Sequence, residues 1–185
     1  MKAELLAPAG SYAKMRTALY FGADAVYVGG KQFSLRAFAD NFSVDELREA
    51  TAYAHGLGKK IYVTANVFAR NADFCVLESY FKTLADIGVD AVIISDPGAV
   101  YMAKKAAPSL AIHLSTQANT TNKYAVKFWA EQGVSRVILA RELSIKEIAE
   151  IHEFVPQMEL ETFVHGAMCI SYSGRCLLSD YLDGR

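Results

Sequence analysis

The sequence predicts an α/β protein of the (β/α)-barrel type, incomplete at about seven strands. Three observations carry that expectation. One phrase recurs, as Gly22-Ala23-Asp24-Ala25-Val26, Gly88-Val89-Asp90-Ala91-Val92 and Gly133-Val134-Ser135-Arg136-Val137. Each copy follows an amphipathic stretch and precedes a run rich in Val, Ile and Tyr, the pattern of a helix closed by a C′ glycine, then a turn, then a buried strand. The alternation continues along the whole chain, which implies a parallel sheet with helices on its outside. Finally, the glycine-rich phosphate turn of a doubly wound sheet does not occur: Pro8-Ala9-Gly10-Ser11 is not G-x-G-x-x-G, and Gly29-Gly30-Lys31 is not a P-loop. A closed TIM-type barrel takes eight strands and about 250 residues, so 185 residues read as a barrel cut short.

The elements follow in order. A first strand is expected near 4–7 and a helix near 11–21, then a strand near 25–29 beginning in the repeated phrase. Ser43 stands three before Glu46, a capping box opening a helix near 45–56. Gly58 precedes Lys59-Lys60-Ile61-Tyr62-Val63 as the phrase glycines precede their strands, predicting a strand near 60–66. A helix near 73–87, a strand near 91–95, a helix near 98–106 and a strand near 110–115 come next. The helix near 122–132 leads to a strand near 136–140. Ser144, three before Glu147, opens another capping-box helix near 144–154, and a seventh strand is expected near 158–164. No linker, low-complexity stretch or charge block divides the chain, so residues 1–185 are expected to form one barrel domain, cut short at its C-terminal end.

Composition narrows the function classes. An apolar fraction of 52% with 21% charged residues excludes disordered and collagen-like chains. Nineteen basic residues against twenty acidic leave a net charge of −1, with no strong global field toward nucleic acid or an anionic membrane. Cys75, Cys169 and Cys176 are too few and too uneven for a disulfide scaffold. The N-terminal apolar run is too short for a signal peptide and no stretch could span a bilayer, so a cytoplasmic protein with no membrane partner is expected.

Barrel chemistry collects at the C-terminal ends of strands. The polar residues expected there are Ser34 and Arg36, Asn66, Asp96, Ser115-Thr116-Gln117, Arg141 and Glu142, and finally Glu161 and His165. Each alone reads as a cap, a turn residue or a solvated rim; as a set they predict a polar pocket. Arg36, Asn66, Asp96, Gln117 and Arg141 are the substrate-binding candidates, and Glu161 and His165 the catalytic ones. Two arginines suit a carboxylate- or phosphate-bearing ligand.

The segment from Glu161 to Ser179 starts as a strand and becomes a loop with Gly166 and Gly174. It carries Cys169 and Cys176, which an extended chain separates by at most about 24 Å and a folded one by far less. Loop thiolates suit zinc or an iron–sulfur cluster, and buried structural thiols are the competing reading. His165 could be a ligand, an acid–base group or a loop histidine. Cys75 lies in a helical pattern and is expected in the core. His55 and His152 read as surface residues, His113 as packed, and Phe128-Trp129 as packing a helix onto the barrel. Neither an H-E-x-x-H helix nor a G-x-S-x-G elbow is present. A thiol nucleophile paired with His165 is supported by nothing beyond proximity in sequence.

The stretch from Glu161 to Ser179, with its Glu, its Phe163, the Gly166-Ala167 pair, Cys169, and Gly174-Arg175-Cys176, resembles the signature of peptidase family U32, the collagenase-like protease family. Leu5-Leu6-Ala7-Pro8-Ala9-Gly10, Phe33-Ser34-Leu35-Arg36-Ala37, Ser95-Asp96-Pro97-Gly98 and His113-Leu114-Ser115-Thr116-Gln117-Ala118-Asn119 agree with it along the chain. Arg136 to Leu143 and Phe163 to Ala167 look like the family branch that hydroxylates tRNA. The resemblance implies a wobble-uridine 5-hydroxylation enzyme that uses prephenate, a small dicarboxylate, and an iron–sulfur cluster. It implies that the chain is the N-terminal portion of such an enzyme, that Cys169 and Cys176 are the first two of four cluster ligands, and that the other two lie beyond Arg185. It places the tRNA contacts in a C-terminal region. The alternatives it carries are collagenase-like protein hydrolysis, and a role as a protein partner in quinone or rRNA hydroxylation.

Overall fold

The computed structural model describes residues 3–31, 33, 41–67, 69–166 and 171–173. It is an α/β fold of the barrel type: seven parallel strands, each but the last followed by a helix. Two compact units divide the chain, residues 1–111 and 112–185.

The first unit contains β1 (Leu6–Pro8), α1 (Tyr12–Tyr20), β2 (Ala25–Gly29), α2 (Val44–Gly56), β3 (Lys60–Thr64), α3 (Phe74–Ile87), β4 (Ala91–Ile94) and α4 (Pro97–Ala106). The ladders are parallel and in sequence order, Pro8 beside Tyr27, Tyr27 beside Tyr62, and Tyr62 beside Ala91. Val26, Val28, Ile61, Val63 and all four residues of β4 are buried. The helices close over such strands with Met15 and Leu19 from α1, Leu47 and Ala54 from α2, and Leu77, Phe81 and Leu84 from α3. Burial of that apolar surface is the main stabilising contribution.

The second unit contains the body of β5 (Ala111–Leu114), then α5 (Lys123–Glu131), β6 (Arg136–Ile138), α6 (Ile145–Phe154) and β7 (Glu159–Glu161). Here too the pairing is parallel, with His113 beside Arg136 and Arg136 beside Glu159. Both expected capping boxes form, Ser43 with Glu46 and Ser144 with Glu147.

The repeated phrase has a physical explanation. Its glycines, Gly22, Gly88 and Gly133, all take positive φ, as does Gly58. Its third residue then binds the preceding strand. Asp24 accepts the Leu5 N–H at 3.1 Å, Asp90 accepts the Ile61 N–H at 2.8 Å, and Ser135 donates its hydroxyl to the Ile112 carbonyl at 2.9 Å. A helix stop and a strand clamp are thus written in three consecutive residues. Gly88 has φ +82° at the end of α3, where its N–H reaches the Leu84 and Ala85 carbonyls. Gly88→Ala should therefore lower stability by about 1–2 kcal/mol, because an L side chain is strained in that region. Gly56, in α2 with open space around it, should gain roughly 0.5–1 kcal/mol as alanine. Urea unfolding of the two variants checks the contrast; equal effects would refute it.

Two expectations are corrected. Cys75 is exposed, not in the core. The buried stripe of α3 runs through Leu77, Tyr80, Phe81 and Leu84, and Cys75 falls off that spacing. Phe128 is half exposed rather than packed onto the sheet, with its ring edge-on to Trp129 at 5.2 Å. Val126 is the residue α5 buries fully. His113 is buried, and His55 and His152 are exposed as expected. Among the described residues no helix is long and apolar enough to cross a membrane.

Candidate functional site

In the first unit the expected site residues follow the C-terminal ends of β3 and β4. Asn66 stands two residues past β3 and Asp96 two past β4. The Ser95 hydroxyl donates to the Asn66 carbonyl at 3.4 Å. The Asn66 side-chain oxygen is buried without a hydrogen-bond partner among the described residues, leaving an acceptor that suits a donor. Asp96 has a structural role. It caps α4, accepting the Ala99 N–H at 2.9 Å, with Pro97 next in the first turn. The fit there is close. A Cβ on Gly98 would sit 3.0 Å from the Asp96 carboxylate and 3.1 Å from the Phe74 ring. Arg36 lies outside the described residues.

The second unit carries more of the set. Gln117 follows β5, Arg141 follows β6 and His165 follows β7. Gln117 sits in a short 3-10 turn, its N–H directed at the Ser115 hydroxyl at 3.3 Å. Thr116 ties this turn to the end of β6, donating its hydroxyl to the Leu139 carbonyl at 3.1 Å. His165 is exposed on the chain leaving β7.

Arg141 and Glu142 grip the segment 171–173. The Ser173 N–H and hydroxyl both donate to the Glu142 carboxylate, at 2.8 and 2.7 Å. The Arg141 N–H donates to the Ser173 hydroxyl oxygen at 3.0 Å, and the guanidinium makes a longer contact to the Ser171 carbonyl at 3.5 Å. Ser173 is fully buried. Burial opposes ionisation of Glu142, but the Ser173 hydrogen bonds, with help from the Arg141 charge, hold its carboxyl below the usual range. The guanidinium of Arg141 has no ion-pair partner among the described residues, and beyond the long contact to Ser171 its fork of donors suits a carboxylate.

Glu161 lies on β7 with its carboxylate 3.4 Å from the Arg136 guanidinium. Arg136, itself buried, binds Glu159 through two nitrogens at 2.9 and 2.7 Å. The candidate catalytic carboxylate is thus part of an ionic ladder across β6 and β7. Cys169 and Cys176 lie outside the described residues, and no group of three or more potential metal ligands occurs among those described.

Sequence reasoning missed the Ser173 clasp and the Arg136 ladder. The ladder left a signal. Arg136 occupies the phrase position that holds Ala25 and Ala91 in the other copies, and Glu159 and Glu161 alternate on the following strand. A charge where the repeat demands a buried small residue must find a partner. Ser173 left no such signal, because its burial depends on a contact 31 residues away.

Comparison with known proteins agrees with the signature. The pattern described as Peptidase family U32 matches residues 10–185. The chain is 48% identical over 184 residues to tRNA hydroxylation protein P1 of Bacillus subtilis (strain 168), covering 100% of this chain and 43% of that protein. It is also 48% identical over 184 residues to tRNA hydroxylation protein P of Escherichia coli (strain K12), covering 100% of this chain and 41% of that one. The chain therefore spans about two fifths of the length of these curated relatives. Among solved structures, the U32 peptidase Mk0906 superposes with a TM-score of 0.72 at 18% identity, covering 87% of this chain and 68% of that one. Its likeness supports the barrel fold alone. With the signature residues in place and the family pattern spanning nearly the whole sequence, the chain belongs to peptidase family U32.

Proposed function

We propose that this chain serves in tRNA hydroxylation, and specifically in placing the 5-hydroxyl of a wobble uridine with prephenate as co-substrate. The observation that carries the reading is the 48% identity, over the full chain, to two proteins named for tRNA hydroxylation. The second unit supplies compatible chemistry. Arg141 presents a guanidinium without an ion-pair partner among the described residues, which suits bidentate binding of a dicarboxylate; Arg36 is the second candidate for that contact. Cys169 and Cys176 would donate two thiolates to an iron–sulfur cluster, whose remaining ligands are expected outside the present sequence. The cluster would supply the redox chemistry. Glu161 and His165 are the acid–base candidates, with the Arg136 guanidinium 3.4 Å from the Glu161 carboxylate. Collagenase-like hydrolysis is the competing activity.

Two measurements test this. Nucleosides from tRNA of a strain lacking the gene should lose 5-hydroxyuridine-type modification and regain it when the gene is restored. Restoration with Arg141→Ala should fall at least roughly tenfold short, since a charge-assisted pair is worth about 1.5–3 kcal/mol. Anaerobically purified wild type should carry iron and sulfide with visible absorption, and Cys169→Ala should not. Unchanged tRNA in the deletion strain, with cleavage of a collagen peptide by the purified protein, would return the assignment to a peptidase.

A further inference from the structure

We propose that Tyr172 is the stacking platform for the target base of the RNA. The inference rests on the hydroxylation reading above and specifies which side chain receives the nucleobase. Tyr172 is 52% exposed. It makes no ring contact and its hydroxyl has no hydrogen bond among the described residues. Its backbone is nevertheless held on both sides. Ser171 before it meets the Arg141 guanidinium, and Ser173 after it is buried and bound three times by the Arg141–Glu142 turn.

This combination separates Tyr172 from the other exposed rings of the second unit. Phe163 is also half exposed with no ring contact among the described residues, but no hydrogen bond among them holds its neighbours Thr162 and Val164. Tyr124 and Phe154 pack edge to face at 5.2 Å, and the Lys123 ammonium lies over both. Phe128 packs on Trp129. Only a ring with a bare face can accept a base, and a ring on a pinned backbone loses little entropy in doing so. Chemistry on a base within an RNA loop requires that base to leave its stack, and aromatic side chains are what proteins offer in exchange. Tyr172 also sits in the stretch between Cys169 and Cys176, and next to Arg141, the candidate grip for the anionic co-substrate. A base on this ring would lie on the segment that Arg141 holds.

The test is fluorescence anisotropy of the purified protein, prepared as its gene encodes it, with a labelled anticodon stem–loop RNA. Two RNAs are compared, one with uridine at the wobble position and one abasic there. Base–aromatic stacking predicts that Tyr172→Ala and Tyr172→Leu bind the uridine RNA about 5- to 150-fold more weakly than wild type. Tyr172→Phe and Tyr172→Trp should remain within about threefold, since each keeps a π face. Wild type should lose a similar factor on the abasic RNA, and Tyr172→Ala should lose nothing further there. Phe128→Ala serves as an exposed-ring control and should match wild type, and the unfolding midpoint of each variant should be unchanged. Equal binding by wild type and Tyr172→Ala overturns the proposal. So does an equal loss on both RNAs, which would place the ring against some other part of the hairpin. The underlying reading fails on a separate result: absence of tRNA hydroxylation by wild type in cells removes both, whereas wild-type hydroxylation by Tyr172→Ala removes the stacking role alone.

Discussion

Arg136→Met is expected to lower stability by on the order of 3 kcal/mol, read as a shift in the urea midpoint at unchanged slope. The guanidinium is buried, with 9% of its side chain exposed, and pairs with Glu159 and Glu161, which are 61% and 17% exposed. Removing the cation takes from Glu161 the guanidinium 3.4 Å away, in a largely desolvated place. Glu159 can turn to water, which keeps the effect at the lower end of the range for broken buried pairs. Glu159→Gln alone should consequently be mild, under about 1 kcal/mol. Combining Arg136→Met with Glu161→Leu should recover most of the loss, since apolar replacement of a whole buried pair is often neutral. A double-mutant cycle measures the coupling. An Arg136→Met midpoint equal to wild type would show that the ladder carries no net stability.

Ser173→Ala is expected to release the segment 171–173, with amide exchange there roughly 5- to 150-fold faster, the equivalent of about 1–3 kcal/mol for an unsatisfied buried group. The single hydroxyl donates to Glu142 and accepts from the Arg141 N–H, so its loss leaves that N–H without this acceptor, while Glu142 keeps the Ser173 N–H. The tRNA hydroxylation proposed above should fall with it, because Tyr172 and Arg141 are proposed to act from that frame. The clasp also has a pH signature. Glu142 is held below its ordinary value, so its contribution is complete above the unfolded carboxylate value, about 4.3. It is lost as pH falls through the lower folded value. Protection of the Ser173 amide should thus persist through the ordinary carboxylate range and fade only as pH falls through the lower folded value, and Glu142→Gln should show weak protection with no such dependence. A Ser173 amide that exchanges alike in both proteins at every pH would remove Glu142 from this role.

Much of the architecture is written locally. The elements lie within a few residues of their expected spans because each boundary has a short-range chemical cause. Gly88 stops α3 by its left-handed backbone, Asp90 then clamps β3, and Ser144 with Glu147 starts α6. Interactions over three or four residues can be read from order alone. The misplacement of Cys75 arose because a helical pattern shows that a face is buried more clearly than which residue lies at its edge; Tyr80 and Phe81, not Cys75, set the face of α3.

The site divides along the same line. Asn66, Asp96, Gln117, Arg141 and His165 could all be placed after strand ends from the repeat, and each stands there. Their partners could not be placed. Asp96 turned out to be occupied by the Ala99 N–H, and Glu161 by Arg136. By itself the sequence determined the barrel class, the order of strands and helices and the family, since those depend on periodicity and on contiguous motifs. Tertiary structure decided that Glu142 holds Ser173 and that a buried arginine joins Glu159 to Glu161. Those contacts span from 23 to 31 residues, and they exist only because parallel strands bring distant strand ends side by side.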